Sequence, residues 1–364
     1  MDKMELATLG LLHSIPGIGQ KTLWNIKHGF GSFQKCFQAD AQSLFCSKIS
    51  NQSVETLLAF RKTHDPMQIL DQLNASEIKF CTIEDNQYPY LLSNIFDPPY
   101  IIYYYGKIEI SQKLCVAVVG SRAATPYGKQ QANRFGGELA ERQITVVSGL
   151  ARGIDTQAHL GSLEAKGNTI AVLGSGLDVI YPRENEKLFN QICNEGLVVS
   201  EFPVKTIPEP GNFPVRNRTI SGLSRGVLVI EAKQKSGALI TADFALEQGR
   251  DVMAVPGPIS SKNSEGTNRL IKQGALVVTC IEDILEEYDM NVSKSSADHF
   301  HQNELFLLDN DESIIIECMG YEPMTFDEIL SVTHLRIGEL SSSLIKMEVG
   351  GLIKNLPGNY YVKL

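Results

Sequence analysis

The stretch VAVVGSRAATPYG (116–128) decides the fold. A run of apolar, mostly β-branched residues enters Gly120-Ser121-Arg122. Thr125-Pro126 then supplies a helix N-cap and a first-turn proline. Comparable runs begin near 145 (TVVS), 169 (TIAVL), 197 (LVVS), 227 (VLVI), 252 (VMAV) and 276 (LVV). Their spacings from 116 onward are 29, 24, 28, 30, 25 and 24 residues, each the length of one strand plus a crossover helix. Strands apolar on both faces belong to a parallel sheet covered by helices. Residues 65–288 therefore predict a doubly wound, extended Rossmann-like α/β domain. Its helices start at Thr125, near Asp155 and at Ser236, the last of these ending at Gly249.

Smaller units flank this core. Residues 1–64 read as a helical domain broken by PGIG (16–19) and FGSF (30–33), with the look of a helix-hairpin-helix or SAM-like unit. IKFCTI and YIIYYYG, within 77–112, are extended and aromatic and are expected to join the sheet or lie beside it. Residues 289–303 are polar and pattern-free, as in a linker. Residues 304–364 predict three helices and two strands about Pro357-Gly358-Asn359, a winged-helix arrangement.

The chain has 364 residues, 43% hydrophobic and 21% charged, with mean hydropathy −0.08, a globular composition. No run reaches the roughly 18 apolar residues of a membrane helix, and no signal peptide is expected. Seven scattered cysteines without a C-x-x-C pair fit a reduced, cytoplasmic protein and no metal site. The net charge of −9 resides in the tail: residues 284–364 carry five Lys+Arg against fourteen Asp+Glu, whereas residues 113–283 carry nineteen against seventeen. For the central domain, what matters is whether its arginines converge.

In an open parallel sheet ligands bind beyond the carboxyl ends of the strands. Those ends carry small residues, among them Ser121, Gly149 and Gly176, that let a ligand approach the backbone. Arg122, Arg152 and Arg183 follow successive strands, and Arg216-Asn217-Arg218 precedes the fifth. Guanidinium groups suit phosphates and stack on bases. A solvated or ion-paired role fits Arg152 and Arg225, whereas topology favours ligand contact for Arg122 and the Arg-Asn-Arg triplet. In HSIPGIGQKTLWNI, Gly17, Gly19 and Lys21 match a hairpin that offers backbone N–H groups and a lysine to DNA, although a packing turn reads equally well.

Enzyme motifs fail in turn. The chain has no Walker A sequence, and the dinucleotide fingerprint is incomplete. Gly222-Leu223-Ser224-Arg225-Gly226 satisfies G-x-S-x-G but precedes a strand, so it is no nucleophile elbow. Asp155 and His159 read as a cap or core pair. No catalytic residue, metal or cofactor is expected. The competing reading is a nucleoside-phosphate hydrolase using the same cleft, with Glu201 or Glu231 as acid or base. A weaker third reading is a scaffold that binds a protein partner without touching DNA.

VAVVGSRAATPYG, VVSGLARGIDTQAH, TIAVLGSGLDVIYPREN, SEFP, FPVRNRTISGLS, VLVIEAKQKSGALITADFALEQGRDVMAVPG and SEGTNRLIKQGA, in this order, resemble the DNA processing protein A (DprA/Smf) family from about Asp85 to Leu285. The resemblance implies sequence-independent binding of single-stranded DNA, homodimerisation, and loading of the RecA recombinase onto incoming DNA in natural transformation. It places the basic pocket on Arg122 and Arg183, with Arg216, Asn217 and Arg218 close by and Ser121, Gly149, Gly176 and Ser236 lining it. It places the dimer contact in the region of Leu270 and Ile271. The tail departs from a DNA reader: its candidate recognition helix, 336–348, sets Arg336 and Lys346 against Glu339 and Glu348, which suits an accessory or protein-contact module.

Overall fold

The computed structural model describes residues 1–288, 309–319, 323–349, 352–356 and 360–363. They form two units, 1–292 and 293–364, each taken by itself below.

All seven expected strand runs are strands: β3 (Cys115–Val119), β4 (Thr145–Ser148), β5 (Thr169–Leu173), β6 (Leu197–Ser200), β7 (Gly226–Val229), β8 (Asp251–Ala254) and β9 (Leu276–Val277). With β1 (Lys79–Thr82) and β2 (Ile101–Gly106) they make one nine-stranded sheet, ordered β1-β2-β6-β5-β4-β3-β7-β8-β9. β3 to β9 pair in parallel, while β1 and β2 add antiparallel at the β6 edge. A short hop through α7 (Tyr90–Ser93) separates β1 from β2. The four-residue α7 is only about 6 Å long, too short to cross the sheet, and β2 pairs antiparallel.

Ahead of the sheet lie α1 (Lys3–Ser14), α2 (Gln20–Phe30), α3 (Phe33–Gln38), α4 (Ala41–Phe45), α5 (Asn51–Phe60) and α6 (Pro66–Ala75). The crossovers are α8 (Pro126–Glu141), α9 (Ile154–Glu164), α10 (Glu186–Glu195), α11 (Asn212–Gly222), α12 (Gly237–Glu247) and α13 (Glu265–Lys272), followed by α14 (Ile281–Glu287). Thr125 caps α8 by accepting the Gly128 N–H at 3.0 Å, and Ser236 caps α12. α6, on the sheet side of the expected boundary at 64, packs on α1. The helices and the sheet share one core, in which Leu9, Leu23 and Phe33 join Tyr100, Tyr103 and Val198. Gln20 stitches the two parts together: its amide donates to the carbonyls of Ile101 (3.1 Å) and Glu201 (2.8 Å) and accepts the Tyr100 N–H (2.9 Å).

One expected contact surface is not a surface. Leu270 is 4% exposed and lies in the core beneath α13, and Ile271 is half-buried against the same core. The helix turns its apolar stripe inward, as amphipathic helices over a sheet do. Leu270→Ala is therefore expected to cost about 2–5 kcal/mol of stability, the range for a truncated core leucine, without changing the particle mass. Urea unfolding with light scattering on the same sample checks this. A change in mass at unaltered stability would return Leu270 to an interface.

The second unit holds α15 (Asn310–Cys318), β10 (Met324–Thr325), α16 (Phe326–Thr333), α17 (Ile337–Val349), β11 (Ile353–Leu356) and β12 (Tyr360–Lys363). Its core is Ile315, Ile329, Leu340, Leu344, Met347 and Ile353. Thr325 and Glu328 close a capping box on α16. The three helices match expectation. A third strand, β10, pairs with β12 in a sheet ordered β10-β12-β11. The expected linker and the turn 357–359 lie outside the described residues.

Candidate nucleic-acid interface

From β3 the chain winds to β4, β5 and β6 on one side, then returns to place β7 on the other. The crevice opens where the order reverses, at the carboxyl ends of β3 and β7. Ser121, just past β3, donates its N–H to the Glu231 carbonyl at 2.8 Å, lacing the two strand ends together.

Two cavities meet there. The smaller, about 230 Å³, is lined by Arg122, Gly149, Arg152, Ser175, Tyr181, Phe213 and Arg216 among others. The larger, about 650 Å³, shares Arg122, Tyr181, Phe213 and Arg216 and adds Ser121, Asn217, Lys233, Lys235 and Ser236. Arg122 is exposed, and its guanidinium lies 4.9 Å from the centre of the Phe213 ring. Tyr181, 43% exposed, sits 5.7 Å from Phe213 ring to ring. The divider between the cavities is thus a cation over an aromatic face, a shape that fits a phosphate beside a base.

Arg216 is buried at the base of both cavities. It donates to the carbonyls of Gly149 and Val172 (2.5 Å) and to the Asn217 side-chain oxygen (3.2 Å). Burial pushes its pKa down to about 10, so it stays charged at neutral pH, and nearby Asp155 opposes the shift. Asp155 is pushed up by burial, an effect moderated by Arg216 and by the N–H groups of Ala151 and Gly149. Gly149 is glycine for a direct reason: a Cβ there would lie 2.5 Å from the Arg216 guanidinium. Asn217 donates to the Gly237 carbonyl at 3.1 Å, fixing α11 to the start of α12.

Other expected residues lie elsewhere. Arg218 faces away from this cleft, pairing with Glu201 (2.8 Å) and Asp97 (2.9 Å), because residues two apart on a helix point in different directions. Arg183 is exposed beside Pro182 and lines neither cavity. Gly176 lies under the loop after β6, where a Cβ would strike the Pro203 carbonyl at 2.6 Å and the Lys205 nitrogen at 3.0 Å. Gly17, Gly19 and Lys21 line a separate groove described below. Arg152 does line the smaller cavity, but it is ion-paired with Glu184, as its sequence context favoured.

Lys233, Lys235, Phe213 and Tyr181 were missed by sequence reasoning. The signal was present: KQKS starts four residues past the carboxyl end of β7, and Phe213 and Tyr181 lie within three residues of arginines already singled out.

The carboxylates of the hydrolase reading are engaged. Glu231 accepts from the Thr125 hydroxyl (2.5 Å) and N–H (3.0 Å) and from Asn263 (3.3 Å). Glu201 accepts from Arg218 and Thr219, each at 2.8 Å. Both oxygens of each carboxylate thus already accept hydrogen bonds from the protein. Ser224 is fully buried, with its hydroxyl on the Ile220 carbonyl. His159 is fully buried against Thr169, its pKa lowered by burial to about 3.

A doubly wound sheet with a cationic, aromatic-walled cleft at its switch point defines a class, the Rossmann-like proteins. The comparisons with known proteins narrow it. A family model described as DNA recombination-mediator protein A matches residues 79–289, and one for the DprA winged helix domain matches 303–359. The chain belongs to the DNA processing protein A (DprA/Smf) family. It is 35% identical to Protein Smf of Synechocystis sp., over 95% of this chain and 96% of that one. The crystal structure of DNA processing protein A from Streptococcus pneumoniae superposes with a TM-score of 0.67 at 36% identity, covering 79% of this chain and 98% of that one. The Helicobacter pylori protein, whose structure is titled for its single-stranded DNA binding mode, gives a TM-score of 0.53 at 32% identity, over 58% of this chain and 95% of that one.

Proposed function

We propose that this protein binds single-stranded DNA without base preference in the switch-point cleft, acts as a homodimer, and delivers the strand to the RecA recombinase in the cytoplasm. The observation that carries the DNA reading is Arg122 laid over Phe213 between two cavities, with Lys233 and Lys235 on the far wall. Cations attract phosphate whatever the sequence, and an aromatic face accepts any base. That a relative's structure is titled for single-stranded DNA supports the same ligand here. Delivery to RecA and the role in natural transformation rest on family membership.

The dimer rests on the sheet edge. β9 is a two-residue edge strand whose Val277 is 41% exposed. Edges of this kind are covered or paired. Two protomers joined there carry two clefts and hold a long strand by linked binding.

A titration decides between the readings. Fluorescent oligothymidylate is expected to bind at least a hundred-fold more tightly than thymidine monophosphate, and light scattering of the same sample is expected to give a dimer mass. Equal affinity, or phosphate release from nucleotides, would favour a nucleotide enzyme; a monomer mass would remove the dimer.

A further inference from the structure

A third concavity, about 1090 Å³, opens between the PGIG turn and the loop that follows β6. One wall is apolar, built from Phe202, Val204, Pro214 and Val215. On the other, the Phe60 and His64 rings lie nearly parallel, 4.4 Å apart, with His64 exposed. Its lining charges balance in number, Lys21, Lys205 and Arg218 against Asp65, Asp97 and Glu201. Glu201 and Asp97 both pair with Arg218, while Asp65 caps α6 by accepting the Met67 N–H at 3.0 Å. Lys21 and Lys205 are exposed, and neither forms an ion pair among the described residues.

Lys205 is held in place. Its φ is +67°, a conformation non-glycine residues rarely adopt, and its N–H donates to both Asp178 carboxylate oxygens at 2.7 and 3.0 Å. Gly176 lies beneath, donating its N–H to the Thr206 carbonyl at 2.9 Å. The groove is also continuous with the cleft. Pro214 lines both, and its neighbours Phe213 and Val215 face one each.

We infer that this groove is a second single-strand subsite, in which DNA leaving the Arg122 cleft crosses Pro214 and runs on towards the PGIG turn. The inference rests on the reading of the cleft as a single-stranded DNA site. Lys205 and Lys21 take phosphates, while bases lie against Val204, Val215 and the Phe60–His64 pair. An occupant with flat apolar faces and spaced negative charge fits an apolar wall whose two exposed lysines form no ion pair among the described residues. An acidic peptide matches the charge but not the continuity with the cleft.

The test compares the wild type with Lys21→Glu/Lys205→Glu and with Arg122→Ala, using oligothymidylates of about 5 and about 12 nucleotides, within the range of known single-strand sites. Both lysines are exposed, and a melting curve confirms that the double variant folds. The double variant is expected to bind the short oligonucleotide as the wild type does. It should bind the long one about ten-fold or more weakly, with a log–log salt slope shallower by about 1.4, the value of two single-strand phosphates. Unchanged affinity for the long oligonucleotide overturns the groove and leaves the cleft standing, as does an equal loss at both lengths. Arg122→Ala binding both lengths normally overturns the cleft itself. Polyglutamate binding that the double variant loses, with oligonucleotide binding intact, makes the groove an acidic-peptide site and overturns the inference.

Discussion

Arg122→Ala is expected to weaken binding of single-stranded DNA about ten- to a hundred-fold, alike for every sequence, and to leave the fold intact. Two losses combine. Removing one phosphate contact flattens the log–log salt dependence by about 0.7. Removing the cation from the Phe213 face leaves the aromatic wall without its charged half, and base stacking on such walls is worth about 1–3 kcal/mol. The side chain is exposed and forms no ion pair among the described residues, so its loss strands no buried charge. Anisotropy titrations at several salt concentrations, with thermal melting alongside, check the result. A parallel shift at every salt concentration would mean that Arg122 acts through packing and not on phosphate.

The parallel sheet was legible because each of its strands is short, apolar and followed by a helix signal, so period and spacing agree. β1 and β2 were visible as extended segments, but their direction was not. That depends on α7 being too short to cross the sheet, which no local pattern states. Around the cleft, position along the chain was a good guide and orientation was not. Arg216 and Arg218 are two residues apart on one helix, and only the packing of α11 shows that one turns to the cleft and the other to Glu201. Leu270 failed for the same reason: an apolar residue on an edge helix reads alike whether it faces in or out. Gly176 resembled a pocket glycine because it follows a strand. Its reason for being glycine is the loop pressed onto it from after β6.

Arg216 is where placement and function part most sharply. As a ligand-binding arginine it should tolerate replacement in stability and fail in affinity. Its surroundings demand the reverse order. It is 4% exposed, and its guanidinium ties the carbonyl past β4 to one within β5 while answering the buried charge of Asp155. Arg216→Met is expected to cost about 3–5 kcal/mol, the usual result of stripping a buried charge of its partner, out of a total stability of about 5–15 kcal/mol. DNA binding should fall with the fold. Adding Asp155→Asn to Arg216→Met should recover part of the loss, since the two changes act on one interaction. Arg216→Lys should fall between, because an ammonium cannot span both carbonyls. The pH dependence carries a sign. Burial already raises the Asp155 pKa, and losing the Arg216 charge raises it further. A carboxyl whose folded pKa lies above its unfolded one takes up protons preferentially in the folded state, so stability is regained as pH falls through the folded value. The deficit of Arg216→Met should therefore shrink as pH falls below neutrality, and Asp155→Asn should abolish that trend. Urea unfolding of the wild type and the three variants across a pH series measures it. A variant that keeps wild-type stability and loses only affinity would make Arg216 a DNA contact and nothing more.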